Sequence, residues 1–94
     1  MMQKVVILGS TGSVGKSSLE VIEKNKDKYE IACLVAFSNE DLIKVQAKRH
    51  KKSKIFIEKP RKKFSTKRFI NKNDLLKLIS SKDVDTVIAA ISGS

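Results

Sequence analysis

Residues 9–18, GSTGSVGKSS, hold three of the chain's four glycines at the spacing Gly9-x-x-Gly12-x-x-Gly15, with hydroxyl side chains between them. Glycines so placed, directly after an apolar run and at the start of a helical pattern, let backbone amides approach a phosphate. The helix dipole adds about 0.3–1 kcal/mol of attraction per charge. Two phosphate loops compete for the stretch. Ser10 to Ser17 misses the nucleoside-triphosphate pattern G-x-x-x-x-G-K-[ST] by one residue, because Ser10 stands where a glycine is needed. That loop also wants an aspartate ending a second apolar strand to hold magnesium, and the runs ending Val35-Ala36-Phe37 and Ala90-Ile91-Ser92 supply none. The dinucleotide pattern gives each glycine a task. Gly9 allows a sharp exit from a strand, Gly12 lets backbone come close to a pyrophosphate, and Gly15 lets a helix pack closely on the strand. Thr11 and Ser13 add hydroxyl donors. A tight turn without ligand is the plain alternative.

In such folds the kind of dinucleotide is read about 20 residues further on, where an acid would hold a ribose 2′-hydroxyl. No acid ends the second apolar run here. Phe37-Ser38-Asn39 offers polar groups in a positive field, with Lys44 one helical turn on, which suits a 2′-phosphate and hence NADP; for Ser38 and Asn39 the plain alternative is helix capping, and one residue can do both. Catalytic chemistry is not visible. The ten acids are dispersed, and one Cys with one His cannot make a zinc site. His50, amid lysines, is expected at the surface, and Cys33, amid Ile31, Ala32, Leu34 and Val35, is expected as a packed thiol.

The elements that must position this loop follow from periodicity. Val5 to Leu8 reads as a strand buried on both faces. From Ser13 the spacing turns helical, placing Val14, Ser18, Val21 and Ile22 on one face and Lys16, Glu20, Glu23 and Lys24 largely opposite. Glu30 to Ala36 is a second strand, and Ser38 or Asn39 caps a helix reaching about His50 with Glu40 and Asp41 in its first turn. Lys54 to Glu58 is a strand stopped by Pro60, followed by a basic segment with a short strand at Arg68 to Ile70. Asn73 is expected to cap a helix burying Leu75, Leu76, Leu78 and Ile79, before a last strand from Val84 to Ile91. Alternating strands and helices imply an α/β fold, a Rossmann-like doubly wound parallel sheet. It is incomplete, with about four main strands in the order 3-2-1-4 and three helices. The loop after the first strand and Ser92-Gly93 would then face one crevice.

At 94 residues the chain makes one domain at most, too small for separate cofactor and substrate lobes. No apolar run approaches the roughly 18 residues of a membrane span, and no export signal opens the chain, so a cytoplasmic location is expected. The net charge of +10 raises the question of nucleic acid. Lysines heavily outnumber arginines and are scattered, whereas base-reading surfaces lean on arginine and exposed aromatics, so solvated lysines are the preferred reading.

The run VVILGSTGSVGKSSLEVIEKNKDKYEIACLVAFSNEDL, then VDTVIAAISG, resembles the N-terminal NADPH-binding domain of the 1-deoxy-D-xylulose 5-phosphate reductoisomerase family. That resemblance covers nearly the whole chain. It implies that Thr11, Gly12, Ser13 and Val14 contact the phosphates of NADPH and that Ser38 and Asn39 reach its adenosine end. It implies an enzyme that rearranges and reduces 1-deoxy-D-xylulose 5-phosphate to 2-C-methyl-D-erythritol 4-phosphate in non-mevalonate isoprenoid biosynthesis. In full length that enzyme would be a homodimer using Mg or Mn. Residues 1–94 would be the N-terminal part of the cofactor domain, with the catalytic and C-terminal domains absent and the chain alone inactive. Phe37 and Ser38 depart from the family's usual glycine and lysine or asparagine, and Glu58 to Asn71 is shorter and more basic. A cofactor module of another NAD(P)-dependent dehydrogenase and a basic nucleic-acid-binding α/β module stand as rival readings.

Overall fold

The computed structural model describes residues 2–60 and 68–90. The chain runs β1 (Gln3–Leu8), α1 (Ser13–Glu23), β2 (Tyr29–Ala36), α2 (Glu40–Arg49), β3 (Lys54–Ile57), α3 (Lys72–Ser80) and β4 (Thr86–Ala89). The four strands form one parallel sheet in the order β3-β2-β1-β4. The chain therefore winds outward from β1 to β3 and returns to the other side of β1 for β4. The topology reverses next to the loop after β1, the place where open α/β sheets bind ligands.

Each face of the sheet carries its own apolar layer. Val5 and Ile7 of β1, Ile31, Leu34 and Ala36 of β2, and Ile55 and Ile57 of β3 pack with Leu19 and Ile22 of α1 and Ile43 and Ala47 of α2. On the opposite face Val6, Cys33 and Phe56 pack with Leu75 of α3. The alternation of strand residues is broken once. Val5 pairs with Ile31 but Val6 with Cys33, so β2 bulges by one residue at Ala32. Ala32 and Cys33 both lie on the α3 side, and the bulge resets the parity so that Leu34 and Ala36 face α1 and α2.

Several boundaries differ from expectation for identifiable reasons. On α1 the buried residues are Gly15, Leu19 and Ile22, while Val14 and Val21 are 60% and 59% exposed. The helix is rotated toward its glycine. α3 is capped by Asn71, whose Oδ1 accepts from the Asp74 amide at 2.8 Å, not by Asn73, which lies within the helix. Leu76 is 53% exposed, whereas Leu75 is buried. β4 begins at Thr86 and not at Val84, because Asp85 is tied across to β1. The Lys4 amide donates to its carboxylate at 2.8 Å, and its own amide donates to the Lys4 carbonyl at 2.9 Å. The expected strand at Arg68–Ile70 is a single parallel bridge between Ile55 and Phe69. The expected end of the last strand at Ile91, and Ser92-Gly93 beside it, lie outside the described residues.

Arg68 fastens the connection after β3. Its guanidinium donates to the carbonyls of Ala47, His50 and Ser53 at 2.8–3.0 Å and to Ser53 Oγ at 3.1 Å. It thereby closes the last turn of α2, where carbonyls lack helical partners. His50, expected at the surface, is nearly buried, its Nε2 3.1 Å from Glu23 Oε1 at the end of α1.

Candidate cofactor site

β1 ends in a backbone reversal that only glycine adopts without strain, with Gly9 at φ 87°. The turn is then pinned to the next strand. The Gly9 and Ser10 amides both donate to the Val35 carbonyl, at 2.8 and 2.9 Å. Gly12 follows in extended conformation as the residue preceding α1, its amide 3.2 Å from the Gly9 carbonyl. Lys16 is the first amide to bond back into the helix, to the Gly12 carbonyl at 2.9 Å.

What this leaves open is the first turn of α1. Gly12 has no side chain to cap it, and no acid lies in that turn. α2 and α3, in contrast, are capped by Asn39, which accepts from the Leu42 amide at 3.2 Å, and by Asn71. The amides of Ser13 and Val14 thus point out of the helix start without a capping side chain, and the positive end of the helix dipole adds to them.

The two remaining glycines of the loop have different tasks. A Cβ on Gly15 would collide with the Gly9 carbonyl oxygen and come within 2.7 Å of Ser10 Cα, so this position sets the contact between α1 and the turn. A Cβ on Gly12 would make only ordinary contacts, 3.6 Å from the Gly9 oxygen and 3.8 Å from the Ala90 oxygen. The fold does not need Gly12 to be bare. Its open side belongs to a crevice of about 530 Å³ at the carboxyl ends of the strands, lined by Thr11, Gly12, Phe37 and Glu58 with Gly9, Val35, Ala36 and Ala90.

Of the residues singled out in the sequence, Thr11 and Gly12 line this crevice. Ser13 and Val14 stand next to it at the helix start, where they border a shallow hollow along the outer face of α1 with Ser17, Ser18 and Val21. Ser38 and Asn39 follow Phe37 at the far lip, and between the two capping candidates it is Asn39 that caps α2.

Other contributors were not anticipated. Gln46, buried on α2, donates from Nε2 to the Ser10 carbonyl at 2.8 Å and so braces the turn from behind. Ser10 Oγ and Gln46 Oε1 are buried without a partner among the described residues. A polar side chain on the apolar stripe Ile43, Gln46, Ala47 was the available signal. Glu58 reaches the crevice, and Lys59 the Phe37 ring that lines it, because the exit of β3 runs beside the exit of β2. The Glu58 amide donates to the Ala36 carbonyl at 3.0 Å and the Lys59 amide to the Phe37 carbonyl at 2.7 Å. Cys33 is packed against α3 on the opposite face of the sheet, and burial pushes its thiol up to about 12. Among the described residues no three His, Cys, Asp or Glu side chains cluster to hold a metal ion.

A model of the 1-deoxy-D-xylulose 5-phosphate reductoisomerase family matches residues 5–94. The reductoisomerase of Wigglesworthia glossinidia brevipalpis is 36% identical over 98% of this chain, and that of Thermodesulfovibrio yellowstonii is 36% identical over 99%. The chain spans 26% of the length of each. A reductoisomerase crystallised in complex with magnesium superposes with a TM-score of 0.76 at 29% identity, over the whole of this chain and 26% of its own. The Zymomonas mobilis enzyme in complex with NADPH gives 0.53 at 30% identity, over 95% of this chain and 21% of its own. With the switch-point loop, the strand order and the sequence match in agreement, the chain belongs to the 1-deoxy-D-xylulose 5-phosphate reductoisomerase family.

Proposed function

We propose that this chain is the NADPH-binding portion of a 1-deoxy-D-xylulose 5-phosphate reductoisomerase, the N-terminal part of its dinucleotide-binding domain. The observation that carries the reading is the uncapped start of α1 at the switch point, with Gly12 bare toward the crevice although the fold would accept a side chain there. The residues fit the cofactor: the amides of Ser13 and Val14 and the hydroxyls of Thr11 and Ser13 hold the diphosphate, and Gly12 admits it. Ser38 and Asn39 meet the adenosine end. NADPH supplies the hydride for reduction of the rearranged sugar phosphate to 2-C-methyl-D-erythritol 4-phosphate.

In this proposal the residues of this chain orient that donor, and the chain by itself is proposed to be inactive. A divalent cation, a homodimer and a cytoplasmic setting belong to the proposal for the complete enzyme. No helix among the described residues is long and apolar enough to cross a membrane.

Titration of the purified chain with NADPH, followed by nicotinamide fluorescence, tests the reading. Saturable binding is expected, and Gly12→Val should weaken it at least about tenfold, since each 1.4 kcal/mol lost is a factor of ten. Gly12→Val binding as well as the wild type would remove the diphosphate from this loop. Steeply salt-dependent binding to duplex DNA in place of NADPH would favour the basic nucleic-acid module.

A further inference from the structure

The exit of β3 supplies two charges to the adenosine side of the crevice, and they favour opposite cofactors. Glu58 lines the crevice with Phe37, a residue 61% exposed. Lys59 lays its ammonium 5.4 Å from the centre of that ring. Both are fastened by backbone hydrogen bonds to Ala36 and Phe37, the residues immediately before Ser38 and Asn39. A carboxylate at this place accepts from a free ribose 2′-hydroxyl and selects the unphosphorylated dinucleotide, whereas a cation attracts a 2′-phosphate carrying close to two negative charges.

Three contacts decide between them. The Glu58 carboxylate lies 3.9 Å from Lys72 Nζ, so its charge is offset by a neighbour. Lys59 makes no ion pair among the described residues; its ammonium rests on an aromatic face, a weak contact at an exposed site. Asn39 is committed to the Leu42 amide through Oδ1, and Ser38 carries no charge, so the residues following β2 bring no cation of their own at these two positions.

We propose that Lys59, held against Phe37, is the residue that selects a 2′-phosphorylated dinucleotide in this chain. The inference rests on the cofactor reading above and deepens it. Phe37 lines the crevice and its ring holds the Lys59 ammonium beside it, a point charge on a flexible arm. Recognition of the phosphate is thereby shared across the exits of two adjacent strands.

The test is titration of the chain with NADPH and with NADH by nicotinamide fluorescence, in the wild type, Lys59→Met, Lys59→Arg and Lys44→Met. Methionine keeps an apolar stem on the Phe37 ring while removing the charge. The wild type should prefer NADPH. Lys59→Met should weaken NADPH about tenfold, the size of a lost charge-assisted contact, and change NADH less than about twofold. Unchanged NADH binding also reports that the variant is folded. Lys59→Arg should restore the preference, and added salt should narrow it in the wild type more than in Lys59→Met. An unchanged NADPH to NADH ratio in Lys59→Met overturns the proposal, as does loss of the preference in Lys44→Met instead. A wild type that prefers NADH overturns it in favour of Glu58. A wild type that binds neither cofactor removes the underlying cofactor reading, and this inference with it.

Discussion

Gly12 and Gly15 are three residues apart in one loop, yet a methyl group would do different things at each. At Gly15 it would run into the Gly9 carbonyl oxygen and the Ser10 backbone, none of which can swing aside as a side-chain end could. Gly15→Ala should therefore cost about 3 kcal/mol, the upper end of overpacking penalties, or prevent folding. At Gly12 the same methyl meets only ordinary contacts, and Gly12→Ala should stay within about 1 kcal/mol of the wild type, the difference between glycine and alanine ahead of a helix. Urea unfolding of the two variants, monitored by circular dichroism, separates them. Equal destabilisation would mean that α1 does not sit against the turn as described. Gly15 also decides which face of α1 is buried. Hydrophobic periodicity groups Val14, Ser18, Val21 and Ile22, but the residue in closest contact on α1 has no side chain and so adds nothing to an apolar pattern. The helix turns to bury Gly15, Leu19 and Ile22, leaving Val14 and Val21 outside.

Among the elements, α2 connects the two ends of the crevice. Its first residues follow the Phe37 lip, and Gln46, near the end of its second turn, holds the Ser10 carbonyl of the loop after β1. Replacing Gln46 by methionine removes this hydrogen bond and at the same time removes Oε1, a buried acceptor without a partner among the described residues. The two effects oppose one another, so global stability should change by less than about 1.5 kcal/mol. The loop itself should loosen, seen as faster amide hydrogen exchange at Gly9 to Gly12 while the strand amides keep their protection. Unaltered exchange in the loop would show that the Val35 carbonyl alone holds it. Strand order and the switch-point loop were legible in the sequence because buried β-branched runs and glycine spacing are local signals. The bulge at Ala32 was not, since a continuous run of small apolar residues hides which face each one takes. Nor were Gln46 and Lys59, which reach the loop and the Phe37 lip only through tertiary packing.

For the molecule as a whole, the two edges of the sheet are treated differently. On the β3 side the chain returns through Phe69, bridged to Ile55, and Arg68 ties that return to the end of α2. On the other side β4 pairs, among the described residues, only with β1, its sequence Thr86-Val87-Ile88-Ala89 carries no charge, and Val87 is 38% exposed. A groove of about 330 Å³ lies between this strand and α1, bordered by Ser18, Val21, Thr86 and Ile88, and the exposed Val21 extends its apolar wall. An uncharged strand edge beside apolar surface is a template for pairing with another strand. The isolated chain should therefore associate with itself as concentration rises, even though its net charge of +10 opposes aggregation. Val87→Lys places a cation on that edge, and should return the chain to a monomer while costing about 1 kcal/mol or less, the span of strand preferences at a partly exposed site. Sedimentation velocity across a concentration series, at low and high salt, reads both variants. Association in the wild type that grows with salt and disappears in Val87→Lys locates the contact at β4, because salt screens the lysine repulsion but not the backbone pairing. A wild type that stays monomeric throughout would mean that charge repulsion outweighs the open edge, and association that survives in Val87→Lys would place the contact elsewhere.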